Sequence, residues 1–284
     1  MHSLQESLAS WATVLGTTVS LIILIHSRAW LAAISVVFVV AAILAGLYAR
    51  SKRLVVEGAS VVVEGRSIDS LNMANLRRRV NRSLVIQEAY HVAEIDGEHL
   101  TITLRYSGYC RAEQETVMEF SIDADTNSPF GGLECCAYDL GHDPGKKHQI
   151  RPMLIGPDGI SKKLAVPFLV PLTARQPFSA LLKCKLRGCM KPGLDYYTST
   201  LSFGQDHVRC YTVRLLFLGQ RPAWVRVYQC EPSGNPTLLK DLRPLHDTRT
   251  LSEYVDIADD MLGQSARIYL FSRGVDVRNV EARA

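Results

Sequence analysis

The sequence predicts a membrane-anchored all-β protein: a transmembrane hairpin of two helices, then a β-sandwich-like or barrel-like domain with one short C-terminal helix. Three observations carry this expectation. Residues 8–48 hold almost no charge, Arg28 being the exception, whereas charges, prolines and glycines run throughout the chain from Arg50 onward. After residue 83, about ten short runs alternate apolar and polar residues with the strand period of two. One stretch, 251–262, repeats its apolar residues at helical spacing instead.

The apolar stretches 8–25 and 31–48 are each eighteen residues long, near the least that spans a hydrocarbon core of about 30 Å. Trp11, Trp30 and Tyr48 lie near their ends, where amphipathic rings favour the interface. Lipid leaves no backbone amide a partner outside its own segment, so both stretches read as helices. The linker 26–30 allows only a tight antiparallel return. Arg50, Lys52 and Arg53 follow the second span and no Lys or Arg precedes the first. The positive-inside rule then gives a two-span inner-membrane protein with both termini cytoplasmic. The spans hold no Asp, Glu or Lys, which argues against transport. Gly16 and Ser20 share one face of the first span, and Ala42 and Gly46 one face of the second. Such small residues allow close helix packing, within one hairpin or between chains. A buried hairpin in a water-soluble core is the alternative reading of 1–49.

Residues 50–83 form a basic connector. Its runs 54–56 and 61–63 are β-like, and 68–80 has a weak amphipathic helical pattern. Arg77, Arg78 and Arg79 close that pattern. With Arg50, Lys52 and Arg53 they form a candidate membrane surface, at ~1 kcal/mol per basic residue near anionic lipid. The plainer reading is a helix end whose arginines favour the dipole. From 84 to 273 the pattern is β. The expected strands are 99–106, 117–122, 133–138, 178–186, 196–203, 210–218, 224–230 and 267–271, with a hairpin of 150–155 and 160–166 about Pro157-Asp158-Gly159. Asp96-Gly97 is a further hairpin turn. The helix 251–262 has Thr250 as its cap and Glu253 after it. Pro167, Pro171 and Pro177 either divide the domain into halves, 84–175 and 176–273, or mark an edge of one contiguous unit, which we favour. Residues 274–284 are a tail.

The net charge of +4 is mild, and no concentrated basic face points to DNA or RNA. Seven cysteines without a C-x-x-C pair read as reduced, mostly buried thiols. Cys135 and Cys136, if in a strand, point to opposite faces. The sequence has no G-x-x-x-x-G-K-[ST], no G-x-S-x-G and no H-E-x-x-H, so neither an enzyme nor a cofactor or metal site is expected. Asp139, His142, Asp143 and His148 could gather on one loop around a metal, but Asp143-Pro144-Gly145 is an ordinary turn. His91, Glu94, Asp96, Glu98 and His99 read as the solvated surface of a hairpin. Pairing of the expected hairpin would draw Lys146, Lys147, Arg151, Lys162 and Lys163 into a candidate anion patch. Edge-protecting lysines are the plainer account.

The order of elements, a two-helix anchor and then a β-rich domain, resembles the two-transmembrane, β-rich effectors of bacterial anti-phage signalling systems. The resemblance runs along nearly the whole chain and brings no binding residues with it. It implies a β domain that senses a nucleotide signal and helices that self-associate to perturb the inner membrane. The alternative is an immunoglobulin-like platform that recruits a cytosolic protein to the bilayer.

Overall fold

The computed structural model describes residues 61–64, 66–68, 80–123, 129–141, 148–156, 158–231 and 235–273. In chain order the strands are β1 (Val61–Val63), β2 (Arg66–Ile68), β3 (Leu84–Asp96), β4 (His99–Cys110), β5 (Gln114–Asp123), β6 (Glu134–Asp139), β7 (His148–Ile150), β8 (Met153–Leu154), β9 (Ser161–Thr173), β10 (Pro177–Leu186), β11 (Leu194–Leu218), β12 (Pro222–Cys230), β13 (Thr237–Leu242), β14 (Pro244–Asp247) and β15 (Leu251–Arg273). A 3-10 turn at Phe130–Gly132 is the one helical element among the described residues.

Ten strands form one sheet in the order β13-β12-β15-β11-β3-β4-β10-β6-β7, with β14 also on β15. Its spine is the antiparallel pair of β11, 25 residues, and β15, 23 residues. β11 takes one edge of β15 along its length, so β12 and β14 share the other. Cys210–Leu218 of β11 runs parallel to Glu88–Asp96 of β3, while no described strand pairs with that edge over 194–201. The sheet crosses the alternative division at 175/176, because β10 pairs with β4 from Pro177↔Tyr109 to Leu186↔Leu100.

A second sheet, β5-β9-β8, packs on the first. Alternation sets the contact. Met118, Phe120 and Ile122 of β5 and Leu164, Val166 and Phe168 of β9 enter the same core as Ile102, Leu104 and Tyr106 of β4. Tyr106 stacks on Phe120 at 5.2 Å between centroids and meets the edge of Phe203 at 5.1 Å. The result is a two-layer β structure with its core between the sheets.

Two side-chain amides complete sheet edges. Asn81, at φ 52, donates from Nδ2 to the Glu119 carbonyl at 2.8 Å and accepts from the Glu119 N–H at 2.8 Å. It thus pairs both backbone groups of one residue on the outer edge of β5. Gln205 does the same for Ile86: its Oε1 accepts the Ile86 N–H at 2.5 Å and its Nε2 donates to the Ile86 carbonyl. Gln205 lies where the register of β11 shifts between Ser202 and His207, and Ile86 where that of β3 shifts before Glu88. Opposite Ile86, Gly108 of β4 has no room for a side chain. A Cβ there would stand 1.8 Å from the Val85 carbonyl oxygen, a backbone atom. Gly108→Ala is expected to cost about 3 kcal/mol, the upper end for overpacking; a urea melt within 0.5 kcal/mol of wild type (roughly the scatter of surface substitutions) would contradict this.

The expected fold class is corrected in two respects. The helix expected over 251–262 is part of β15. Its inward positions carry polar residues, Ser252 and Asp256, both buried, while Ile257 is 60% exposed. Reading apolar residues as inward therefore produced a false helical period. Further, the backbone of the described residues pairs between strands, and no helix among them is long and apolar enough to cross a membrane. The transmembrane helices, the two-span inner-membrane location and the cytoplasmic orientation derived from them are therefore not carried further. The stretches 8–25 and 31–48, with Gly16, Ser20, Ala42 and Gly46, lie outside the described residues, as do Arg50, Lys52, Arg53, Arg77, Arg78 and Arg79. Cysteine usage also differs. Cys135 and Cys184 face each other across β6 and β10 and form a disulfide; Cys110, Cys136, Cys189, Cys210 and Cys230 keep their thiols outside any disulfide.

Candidate ligand-binding site

The alternation of β3 sends Ala89, His91, Ala93 and Ile95 inward. His91 is thus 1% exposed. Its ring meets the edges of Tyr106 at 5.4 Å and Tyr211 at 5.9 Å. Its Nδ1 lies 2.5 Å from Ser199 Oγ on β11. Its Nε2 is buried and has no hydrogen-bond partner among the described residues. Burial pushes the imidazole pKa down to about 3, so the ring is neutral at ordinary pH.

His91 lines a cavity of about 110 Å³. The cavity lies between β11, along the edge that faces away from β15, and the outer edge of β5, and consecutive residues of both strands line it, 195–200 and 119–123. Leu100, Ile102, Leu104 and Tyr106 of β4 form an apolar wall, with Leu186, Cys189 and Met190 at one end. The lining also includes Ser121, Thr198, Ser199, Thr200 and Ser202, and the acidic residues Glu119, Asp123 and Asp195. Asp195 accepts the N–H groups of Lys191 at 2.6 Å and Tyr196 at 2.9 Å, which anchors the start of β11. No Lys or Arg is among the lining residues.

A buried polar chain leads away from the cavity. Ser199 hydrogen bonds His91, and Tyr211 meets the imidazole ring edge-on. The Tyr211 hydroxyl lies 3.3 Å from that of Tyr269, which donates to Asp256 Oδ2 at 2.8 Å. Arg267 Nη1 donates to the same oxygen at 3.1 Å, and Lys240 Nζ stands 2.7 Å from Oδ1. Asp256 is fully buried and Arg267 nearly so, whereas the Lys240 side chain is 43% exposed. Burial, first among the causes, raises the phenols of Tyr106, Tyr197, Tyr211 and Tyr269 well above their ordinary range.

The residues singled out in the sequence fall elsewhere. Lys162 is buried, donating to the Gly159 carbonyl and pairing with Asp158 at 3.2 Å, so it closes its own turn. Lys163, next along β9, points to the opposite face. Arg151 is exposed, and Lys146 and Lys147 lie outside the described residues. Asp139 is buried and accepts the N–H groups of Gly141 at 3.0 Å and Leu169 at 3.1 Å, tying β6 to β9. His148, opposite it in the β6–β7 register, is exposed, and His142 and Asp143 lie outside the described residues. No cluster of three or more His, Cys, Asp or Glu among the described residues is placed to hold a metal ion. Asp96, Glu98 and His99 are exposed around Gly97, whose φ is 56. His91 differs from that group. The apolar partners at i±2, Ala89 and Ala93, and Ile95 beyond, are the signal that places it inside.

No family model matches the chain, and no curated protein matches it. Among solved structures, the M1 zinc metallopeptidase from Deinococcus radiodurans matches at 14% identity and a TM-score of 0.43, over 67% of this chain and 43% of that one. A mutant of that enzyme bound to a Tyr-Ser-Ala substrate matches at 13% identity and a TM-score of 0.42 over the same shares. The chain spans less than half the length of those enzymes. A likeness at this level carries no argument about what the chain does.

Proposed function

We propose that the β domain is a binding module that takes a small ligand in the cavity beside His91. The observation that carries this is a cavity of about 110 Å³ with an apolar wall from β4 and a buried, neutral imidazole beside it. An apolar cavity of ~150 Å³ accepts benzene, so a space of about 110 Å³ suits a smaller ring or a short branched chain. Binding is favoured over catalysis because an imidazole with a pKa of about 3 is a weak general base at neutral pH. The sensing role implied by the resemblance is kept in this form. An anionic nucleotide fits it poorly, since no Lys or Arg is among the lining residues and the space is about 110 Å³.

The test is an NMR titration of the full chain with pyrrole. Saturable shifts should centre on His91, Ile102 and Leu104. Ile102→Phe fills the apolar wall and should abolish those shifts at a stability cost of about 1–3 kcal/mol. Equal shifts in wild type and Ile102→Phe would place the binding elsewhere. A platform for a protein partner is a second reading, favoured by the end strand β13, where Leu238 and Leu239 are 51% and 43% exposed. A partner lost on Leu239→Lys while pyrrole binding persists would favour that reading.

A further inference from the structure

We infer that the outer face of the large sheet is a surface on which two copies of this chain pair face to face. Strand alternation defines that face. Leu182 and Cys184 of β10, Ile102 and Leu104 of β4, and His91 and Ala93 of β3 point into the core, so the residues between them point out. One outward row, Cys136, Lys183, Thr103, Val92, Arg214 and Val255, crosses six strands in register. Among the described residues, the second sheet packs on the opposite face. On the outer face Val63 of β1 joins an apolar cluster at the far end, with Ile268 and Leu270. Around the row, Arg105 and Lys183 are exposed, and Ile257 is 60% exposed.

Charge names the occupant. Two carboxylates on the face are taken within the chain: Arg187 pairs with Glu134, and Arg214 Nε donates to Glu253 Oε1 at 2.7 Å. The other charges on the three central strands divide by sign. Lys183, Lys185 and Arg105 lie on β10 and β4, and Glu88 and Glu94 on β3. None of these five makes an ion pair among the described residues. The face is thus basic on one half and acidic on the other, with the boundary between β4 and β3. A half-turn about an axis along the strands at that boundary lays each basic half over the acidic half of a second copy. It also sets Arg105 over the second copy's Tyr90 ring, since the two are register partners. Six strands spaced about 4.8 Å apart, with outward residues about 6.8 Å apart along each, give roughly 500 Å² per copy. Two such faces bury about 1,000 Å², the lower end for a specific interface, so the dimer is reversible.

The test is sedimentation equilibrium of the full chain. Wild type should dimerise reversibly. Lys183→Glu with Lys185→Glu turns the basic half acidic, and Glu88→Lys with Glu94→Lys turns the acidic half basic. Each double variant should self-associate about a hundredfold more weakly, the scale of like charges set against one another across an interface. An equimolar mixture of the two should regain the dimer, because an acidic face then meets a basic one. A wild type still monomeric at about 1 mM, the weak end of measurable association, would overturn the inference and leave the face to a different partner. Variants that dimerise as wild type does would place the interface elsewhere. A mixture that stays monomeric would refute the charge pairing. Should either variant fail to fold, salt decides. The wild-type dissociation constant should rise from about 0.05 M to about 0.5 M salt as screening weakens the pairing, and a constant value would contradict it.

Discussion

Asp256→Ala should destabilise the protein by about 3–5 kcal/mol, the range for removing one partner of a buried ion pair. Asp256 is fully buried, with Arg267 at 3.1 Å and the Tyr269 hydroxyl at 2.8 Å. Removing it leaves a guanidinium inside the protein without its counter-charge. Lys240, with its side chain 43% exposed, can turn to water, but Arg267, with 8%, cannot. Replacing both partners, Asp256→Leu with Arg267→Met, removes the buried charge altogether and should recover most of the loss. Urea denaturation of the two variants beside wild type measures this. A loss below about 1 kcal/mol in the single variant, the typical worth of an exposed pair, would show that water reaches Arg267.

The second large effect is a stability that falls with acid. The His91 pKa is held at about 3 by burial, against 6.5 for the free side chain. Between those values the unfolded chain takes up a proton that the folded chain refuses. The contribution of His91 is therefore full above pH 6.5 and is lost as pH falls towards 3, with a slope approaching about 1.4 kcal/mol per pH unit. The other titratable groups around the ring behave differently. Tyr106 and Tyr211 have raised values and stay neutral throughout. Glu119, Asp123 and Asp195 are on the same cavity wall. His91→Gln keeps those carboxylates and removes the imidazole, so the difference between the two stability profiles isolates His91. Parallel profiles from pH 7 to 5.5 (roughly the window in which histidine changes charge ahead of the carboxylates) would mean that the imidazole is hydrated.

The strands were legible wherever apolar residues marked the inward face. Leu100, Ile102, Leu104 and Tyr106 alternate without exception, and the expected strand 99–106 lies within His99–Cys110. The Asp96-Gly97 turn was legible for a local reason too, the left-handed φ of 56 that glycine accepts. Legibility failed where polar residues face inward. Ser252 and Asp256 occupy core positions of β15 because Asp247, Tyr269 and Arg267 bond them there, and no local pattern announces partners up to 13 residues away. The length of β11 was hidden for another reason. Its register shift between Ser202 and His207, around Gly204 and Gln205, reads in sequence as a turn between the expected strands 196–203 and 210–218. The candidate site suffered most, because it is assembled across long separations: His91 and Ser199 are 108 residues apart. The lysines at 162 and 163 attracted attention through charge alone, and their adjacency in a strand sends them to opposite faces.

The central claim is that the cavity beside His91 receives a small ligand. The most direct measurement is a crystal structure of the full chain soaked in pyrrole. The account predicts a ring in the cavity against Ile102 and Leu104. A ring bound only elsewhere on the chain, with the cavity empty, would contradict it.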